Sequence, residues 1–477
     1  MAETPEKSSA LEKRIKKHVI GKPHRFAAVA PLGFEETLVE ELKYIGVECV
    51  ADINVADIKV AGDGKVEFTA KITEAWKAVA YSRIANRILM EIASFKAENF
   101  GQLEKGTAAV PWELFLGSCA DLKLHVSCKH SRLYHSGAIE ERVATIIAKA
   151  LAGSNSDSYP QNLYVNLQDD RCTLWLDLAG EELYKRGHER FVAEAPLKET
   201  IAAAMIFEAC RLQVPGSRLQ ASGDNTASTT PQSERSEQPR TSSLEPRTFI
   251  DPMAGSGTFS LEAAYIANGL IPGKCRDFAL KHQPAFKEGT WNYLLKAADS
   301  TQCHPERSGA ESKDLESTQN ILRIITSDIS ERPISIIKHN VECSPLAEIA
   351  KTNPNAVIIN PRLKDFFSYT IDDICAVRPS ANDTAHDIVI LLNPPYGKRL
   401  AFDAPKLYTK IGQKLTEWNR DTQSRSQGIT VAILVPKDCM SNLLQACPAL
   451  DPHHNDTVKT IETSHGGFSL NAIFARI

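Results

Sequence analysis

Asn393-Pro394-Pro395-Tyr396 holds, within four residues, the groups needed to grip a planar amine. It follows the apolar run Ile388-Val389-Ile390-Leu391-Leu392, which reads as a buried strand. The two prolines fix φ and remove N–H donors, so their carbonyls can face a ligand. The Asn393 side-chain oxygen and the Pro394 carbonyl can accept hydrogen bonds from one exocyclic amino group. The Tyr396 ring can stack on the flat group that carries it. Such a corner presents a nitrogen to an electrophile.

A second motif offers a place for that electrophile. Thr248-Phe249-Ile250 runs into Asp251-Pro252-Met253-Ala254-Gly255-Ser256-Gly257-Thr258, and the helical pattern Phe259-Ser260-Leu261-Glu262-Ala263-Ala264 follows. This is strand, glycine turn, helix. Glycines permit positive φ and close backbone approach to a ligand, and the helix start offers free N–H groups. By itself the turn is unspecific, because dinucleotide binders, P-loops and plain tight turns share it. No Gly-Lys-Ser/Thr follows, which excludes a phosphate P-loop. The third glycine of the dinucleotide fingerprint is replaced by Ser260.

Taken together, Asp251-x-x-x-Gly255-x-Gly257 and Asn-Pro-Pro-Tyr resemble the class I S-adenosylmethionine-dependent methyltransferases that act on exocyclic or amide nitrogen. Three N-terminal stretches extend the resemblance: Phe26 to Glu36, Tyr81 to Leu89, and Leu176-Asp177-Leu178-Ala179-Gly180 with Lys185-Arg186-Gly187-His188. They look like parts of a THUMP-containing RNA methyltransferase. Ala195 to Ala204 resembles the segment leading into that family's catalytic domain, with Lys198 and Glu199 in the wall of the cofactor pocket. The family is that of the bacterial 23S rRNA guanine-N2 methyltransferases of the RlmL type. Ala254 departs from the Cys common in its glycine turn, and Ser330 stands where a second acidic residue often follows the ribose-binding one.

The resemblance implies an α/β fold: a Rossmann-like, seven-stranded class I methyltransferase domain preceded by an α+β THUMP-type domain. Candidate strands of the catalytic sheet are Thr248–Ile250, 321–326, 356–359, Ile388–Leu392, 429–435, 457–463 and 469–476, the last two paired around Gly466-Gly467. Residues 1–24 read as a basic, disordered lead. Residues 25–190 form the N-terminal α+β region and 191–477 the catalytic domain. Ser, Thr, Pro and charge fill 217–247 and 300–320, which read as solvated insertions.

Parallel sheets bind ligands beyond the carboxyl ends of their strands. The expected cofactor is S-adenosylmethionine, held by Asp251, Gly255, Ser256, Gly257 and Thr258 after the first strand. Asp328 would accept from the ribose hydroxyls, Asp365 from the adenine amine beside Phe366, and Asn393 completes the set. Asn393, Pro394, Pro395 and Tyr396 are the expected catalytic group. Arg83, Arg87, Arg186 and Arg190 are the expected RNA-phosphate contacts. No metal is expected, because a sulfonium already makes its methyl group electrophilic.

Composition sets outer bounds. The 477 residues suffice for two or three domains, and hydrophobic content of 43% is ordinary for a globular chain. A net charge of −4 gives no whole-chain nucleic-acid signature. The 11 cysteines contain no Cys-x-x-Cys pair, which fits reduced thiols and a cytoplasmic setting. No stretch reaches membrane-spanning length, no signal peptide is read, and no oligomeric state is evident. The expected partner is 23S rRNA, with tRNA guanine-N2 methylation as the alternative. DNA adenine and protein glutamine methyltransferases share the Asn-Pro-Pro-Tyr corner. A non-catalytic RNA-binding assembly factor is the alternative of another class.

Overall fold

The computed structural model describes residues 5–50, 58–62, 64–117, 121–151, 159–192, 196–211, 247–301, 321–375, 387–396, 403–424 and 429–477. Two seven-stranded sheets organise them. The first contains β1 (Pro23–Val29), β2 (Lys59–Gly62), β3 (Lys65–Lys71), β4 (Arg87–Lys96), β5 (Leu122–Lys129), β6 (Gln161–Gln168) and β7 (Arg171–Asp177). Their order is β2-β3-β1-β4-β7-β6-β5. β5 and β6 run parallel, and the other neighbours are antiparallel.

Period-two alternation gives this sheet two unlike faces. Phe26 pairs with Phe68 and Met90, and all three are buried. They pack with Leu38, Trp76, Leu103 and Ile139 from the helices Glu35–Tyr44, Ile72–Tyr81, Phe100–Ala108 and Ser136–Ala150. Among the described residues the opposite face carries a small apolar group of Ala27, Leu89 and Trp175, flanked by Val29 and Tyr164. Asp169 and Asp170 take φ of 49° and 60°, as a two-residue turn between β6 and β7 requires.

The second sheet contains β8 (Arg247–Asp251), β9 (Ile321–Asp328), β10 (Arg362–Leu363), β11 (Asp387–Leu392), β12 (Ile429–Pro436), β13 (Lys459–His465) and β14 (Phe468–Arg476). Their order is β10-β9-β8-β11-β12-β14-β13. β8 to β12 are parallel, and β14 runs antiparallel between β12 and β13. All eight residues of β12 are buried, as expected for a strand covered on both faces. This is the class I sheet with its terminal hairpin.

Two expectations need correction, and a third falls outside the described residues. The lead is not disordered over its described part: a helix spans Pro5–Ile15 and a π-turn Lys16–Ile20. Ile15 and Val19 drop into the core at 5% and 1% exposure, so the basic residues are one face of an anchored element. No strand forms at 356–359; Ile359 is buried there, and the pairing with β9 comes later, at β10. The segments 217–247 and 300–320 lie outside the described residues, apart from Arg247 at the start of β8 and the last turn of the helix Glu288–Thr301.

Candidate active site

The glycine turn and the asparagine corner stand side by side. β8 and β11 are parallel neighbours with Ile250 opposite Ile390, so both strands deliver their ends to one edge of the sheet. Gly255 and Gly257 have φ of 54° and 78°. A Cβ on Gly255 would meet nothing within 4 Å, whereas one on Gly257 would lie 2.8 Å from Ile337 Cγ1. Gly257 thus lets the turn pack on the helix Glu331–Glu342, while Gly255 faces open space.

The carboxylates divide the work differently from the expectation. Asp251 is turned into the protein, where Oδ2 accepts from Ser260 N (3.2 Å) and Ser260 Oγ (2.7 Å). Thr326 Oγ1 donates to Ser260 Oγ at 2.8 Å. Burial, with a smaller push from the Asp328 charge, raises the Asp251 carboxyl to about 7. It is an acceptor for the helix start rather than a group facing the cleft. Asp328 is half-exposed; Oδ2 accepts from Gly255 N and Oδ1 from Ser330 N, both at 3.0 Å. β10 brings Leu363 opposite Asp328. Asp365 follows, half-buried, its Oδ1 accepting from Phe367 N at 3.0 Å. Phe366 does not flank the cleft: it is buried edge-on against Trp418, 5.3 Å between centroids.

At the corner, Asn393 Oδ1 is buried without a hydrogen-bond partner among the described residues. Pro394 is buried and Pro395 exposed. Tyr396 is not the open stacking ring expected, being only 8% exposed. Its hydroxyl lies 3.0 Å from His465 Nδ1, and its ring meets Phe468 edge-on at 5.9 Å. Burial pushes the phenol up to about 12. Burial and the Lys198 charge lower the His465 imidazole.

The four arginines are not free for phosphates. Arg186 Nε donates to Glu262 Oε1 at 2.9 Å, and Arg83 Nη1 reaches Glu262 Oε2 at 3.4 Å. Arg87 Nη1 holds Asp177 Oδ2 at 2.6 Å. Arg190 pairs with Glu199 and donates to Thr258 Oγ1 at 2.5 Å. Each is spent inside the fold because it faces a carboxylate far away in sequence or across a turn. Arg190 moves instead to the glycine turn, where its Nε is buried and unsatisfied among the described residues.

Sequence reasoning missed four groups. Ile329 (70% exposed) and Leu363 (56%) are bare apolar side chains beside Asp328, the kind of surface a flat ring covers. The only signal was an apolar residue directly after a strand-end Asp. His465 and Phe468 come from the β13–β14 hairpin, whose approach to Tyr396 is a matter of sheet order.

Residues 240–459 match the model of the RMKL-like methyltransferase domain, and residues 25–89 that of the RlmL ferredoxin-like domain. The chain thus carries a match to an RMKL-like methyltransferase domain behind a match to an RlmL ferredoxin-like domain. It is 27% identical over 408 residues to ribosomal RNA large subunit methyltransferase K/L of Syntrophotalea carbinolica, covering 82% of this chain and 47% of that protein. The chain therefore spans about half the length of that relative. YpsC of Bacillus subtilis, whose name assigns it to RNA methylation, is 26% identical, with 82% of this chain and 84% of YpsC covered. Among solved structures, SMU.472 in complex with SAH superposes with a TM-score of 0.65 at 21% identity, covering 96% of this chain and 98% of that one; the likeness is one of fold.

The cofactor of RlmL-like methyltransferases is S-adenosylmethionine, and the residues present fit it. Open space at Gly255, a carboxylate and two bare apolar side chains at the ends of β9 and β10, and an unsatisfied guanidinium nitrogen at the turn match its amino-acid, ribose and adenine parts.

Proposed function

We propose that this RlmL-like enzyme methylates the exocyclic N2 amine of a guanine in 23S rRNA. The observation that carries the reading is Asn393 Oδ1, a buried acceptor without a partner among the described residues, one strand away from the glycine turn. Leaving such an acceptor unpaired costs roughly 1–3 kcal/mol, which a donor N–H from a substrate removes. Asn393 Oδ1 and the Pro394 carbonyl accept the two N–H bonds of one amine. This turns the nitrogen lone pair, otherwise conjugated with the ring, toward the glycine turn. S-adenosylmethionine, when bound, supplies a methyl group activated by its sulfonium. Gly255, Asp328, Asp365 and Arg190 hold it, with Ile329 and Leu363 on its adenine. Tyr396 is fixed by His465 and continues toward Phe468, which is 39% exposed and gives the base an open ring to lie on. A guanine inside a helix is out of reach of this corner, so local opening of the RNA is required.

The RNA substrate is supported by the ferredoxin-like N-terminal match and by the names of the relatives; the reaction then takes place in the cytoplasm, on ribosomal RNA. The test is to incubate the chain with labelled S-adenosylmethionine and unmodified total RNA, then map the modified nucleoside. N2-methylguanosine in the large-subunit RNA is expected; label confined to tRNA would transfer the reading to tRNA, and label in neither would end it. Asn393→Ala should lower turnover about 100-fold or more, with cofactor affinity changed only a few-fold in calorimetry. A large loss of affinity would contradict the role given to Asn393.

A further inference from the structure

Residues 186–191, which lie in the chain between the two sheets, form a strap along the glycine-turn helix, Thr258–Ala267. Every second residue is tied to that helix. Arg186 Nε donates to Glu262 Oε1 at 2.9 Å, His188 Nε2 lies 2.8 Å from Tyr265 Oη, and Arg190 donates to Thr258 Oγ1. One residue further the tie passes to another element. Asn340, on the helix Glu331–Glu342, is only 1% exposed. Its Oδ1 accepts from Phe191 N at 2.8 Å, and its Nδ2 donates to Phe191 O at 2.9 Å and to Ser256 O at 3.2 Å.

One side-chain amide thus holds the strap and the glycine turn together. Pairing with both the N–H and the C=O of Phe191 fixes that backbone as a rung of a sheet would, and the third bond fixes Ser256 against it. Arg190 directly precedes Phe191, and Ser256 stands between Gly255 and Gly257. Arg190 Nη2 lies 3.4 Å from Ser256 Oγ. The bonds of Asn340 therefore set where the guanidinium sits relative to the turn. Hydrogen bonds weaken steeply when donor and acceptor are misaligned, so this placement decides what the fork can hold. The fold contains its own comparison. Asn268 pairs in the same way with Val357, accepting from its N at 3.1 Å and donating to its O at 2.9 Å, with a third bond to Ala264 O. It does so at the other end of the glycine-turn helix, as the C-cap.

We propose that Asn340 is a positioning residue for S-adenosylmethionine. It clasps the strap to the glycine turn and so aims the Arg190 fork at the cofactor; it acts through Arg190 rather than by contact. The proposal rests on the cofactor reading of the site given above.

The test is calorimetry with S-adenosylmethionine on the full chain. Asn340→Ala should weaken binding about tenfold, the scale of one hydrogen bond to a charged group. Because the effect runs through Arg190, the double variant Asn340→Ala/Arg190→Lys should bind about as Arg190→Lys alone does, not with the product of the two losses. Asn268→Ala breaks an equal set of bonds; it should lower the melting temperature and leave cofactor affinity as it is. A measurement on the unaltered chain covers the case in which Asn340→Ala does not fold. A clasp that favours the cofactor is favoured by it in return. Amide exchange at Phe191 should therefore slow on saturation with cofactor, and by more than at Val357, the matching amide held by Asn268. Unchanged affinity in folded Asn340→Ala, losses that multiply in the double variant, an equal loss from Asn268→Ala, or exchange at Phe191 that slows no more than at Val357 overturns the role of Asn340. Failure of the unaltered chain to bind S-adenosylmethionine overturns the cofactor reading itself.

Discussion

Arg190 illustrates how surroundings decide what a side chain does. From the sequence it is an expected RNA-phosphate contact, two residues after Lys185-Arg186-Gly187-His188. In the fold its side chain is 11% exposed, pairs with Glu199, and donates to Thr258 Oγ1 at the start of the glycine-turn helix. Burial lowers the guanidinium below its ordinary range, but an arginine so far above neutrality stays charged. A charged fork with one nitrogen unsatisfied wants one more acceptor, and the carboxylate end of the cofactor is the acceptor proposed for it. Arg190→Lys keeps a positive charge and removes the fork. It should weaken S-adenosylmethionine binding about tenfold or more, the scale of one hydrogen bond to a charged group, while RNA affinity stays put. Calorimetry with the cofactor and anisotropy with RNA separate the two roles; the opposite pattern would return Arg190 to the phosphates.

One scale up, Asp251 joins the end of β8 to the helix Thr258–Ala267 through Ser260. Its carboxyl is raised from 3.8 to about 7, by burial first. An acid with a raised folded pKa binds its proton more tightly when folded. Its contribution is therefore fully present below 3.8 and is lost as pH rises through about 7. Asp251→Asn keeps an oxygen for Ser260 and removes the titration. Melting curves between roughly pH 5 and 7 should then fall less steeply than those of the unaltered chain; superimposable pH profiles would remove Asp251 from this role. The strands meeting at this edge were legible because Ile388–Leu392 of β11 and Val431–Val435 of β12 are apolar runs, and because the Gly255–Gly257 turn follows Phe249-Ile250-Asp251 closely. The lead helix was not, since Leu11, Ile15 and Val19 recur every fourth residue inside a basic stretch whose charges dominate the composition. Ala356 to Ile359 has strand character, but only Arg362 and Leu363 pair with β9. The approach of His465 and Phe468 to Tyr396 depends on strand order, which no local spacing records.

Across the whole molecule, the glycine-turn helix is also the joint between the two sheets. Glu262 on that helix is fully buried and receives Arg186 and Arg83 from the N-terminal region, and Arg186 Nη2 also donates to the Arg83 carbonyl at 2.9 Å. A second tie runs from Thr37 Oγ1 to Glu208 Oε1 at 2.7 Å, with Lys459 on the same carboxylate. The pairs 83–262 and 186–262 are invisible in one sequence, because complementary charges so far apart leave no periodic trace. Glu262→Gln would strand two cations in the interior, and removing one partner of a buried ion pair costs about 3–5 kcal/mol. Because Glu262 lies one turn beyond Thr258, the same change should loosen the turn and weaken cofactor binding. A fall in stability alone would be unspecific, so the pairing is read from a double-mutant cycle with Arg186→Met in urea unfolding. Removing Arg186 together with Glu262 takes away one of the two stranded charges, and the double variant should be less destabilised than the sum of the two single changes. Strict additivity would show that Arg186 and Glu262 do not hold the two regions together.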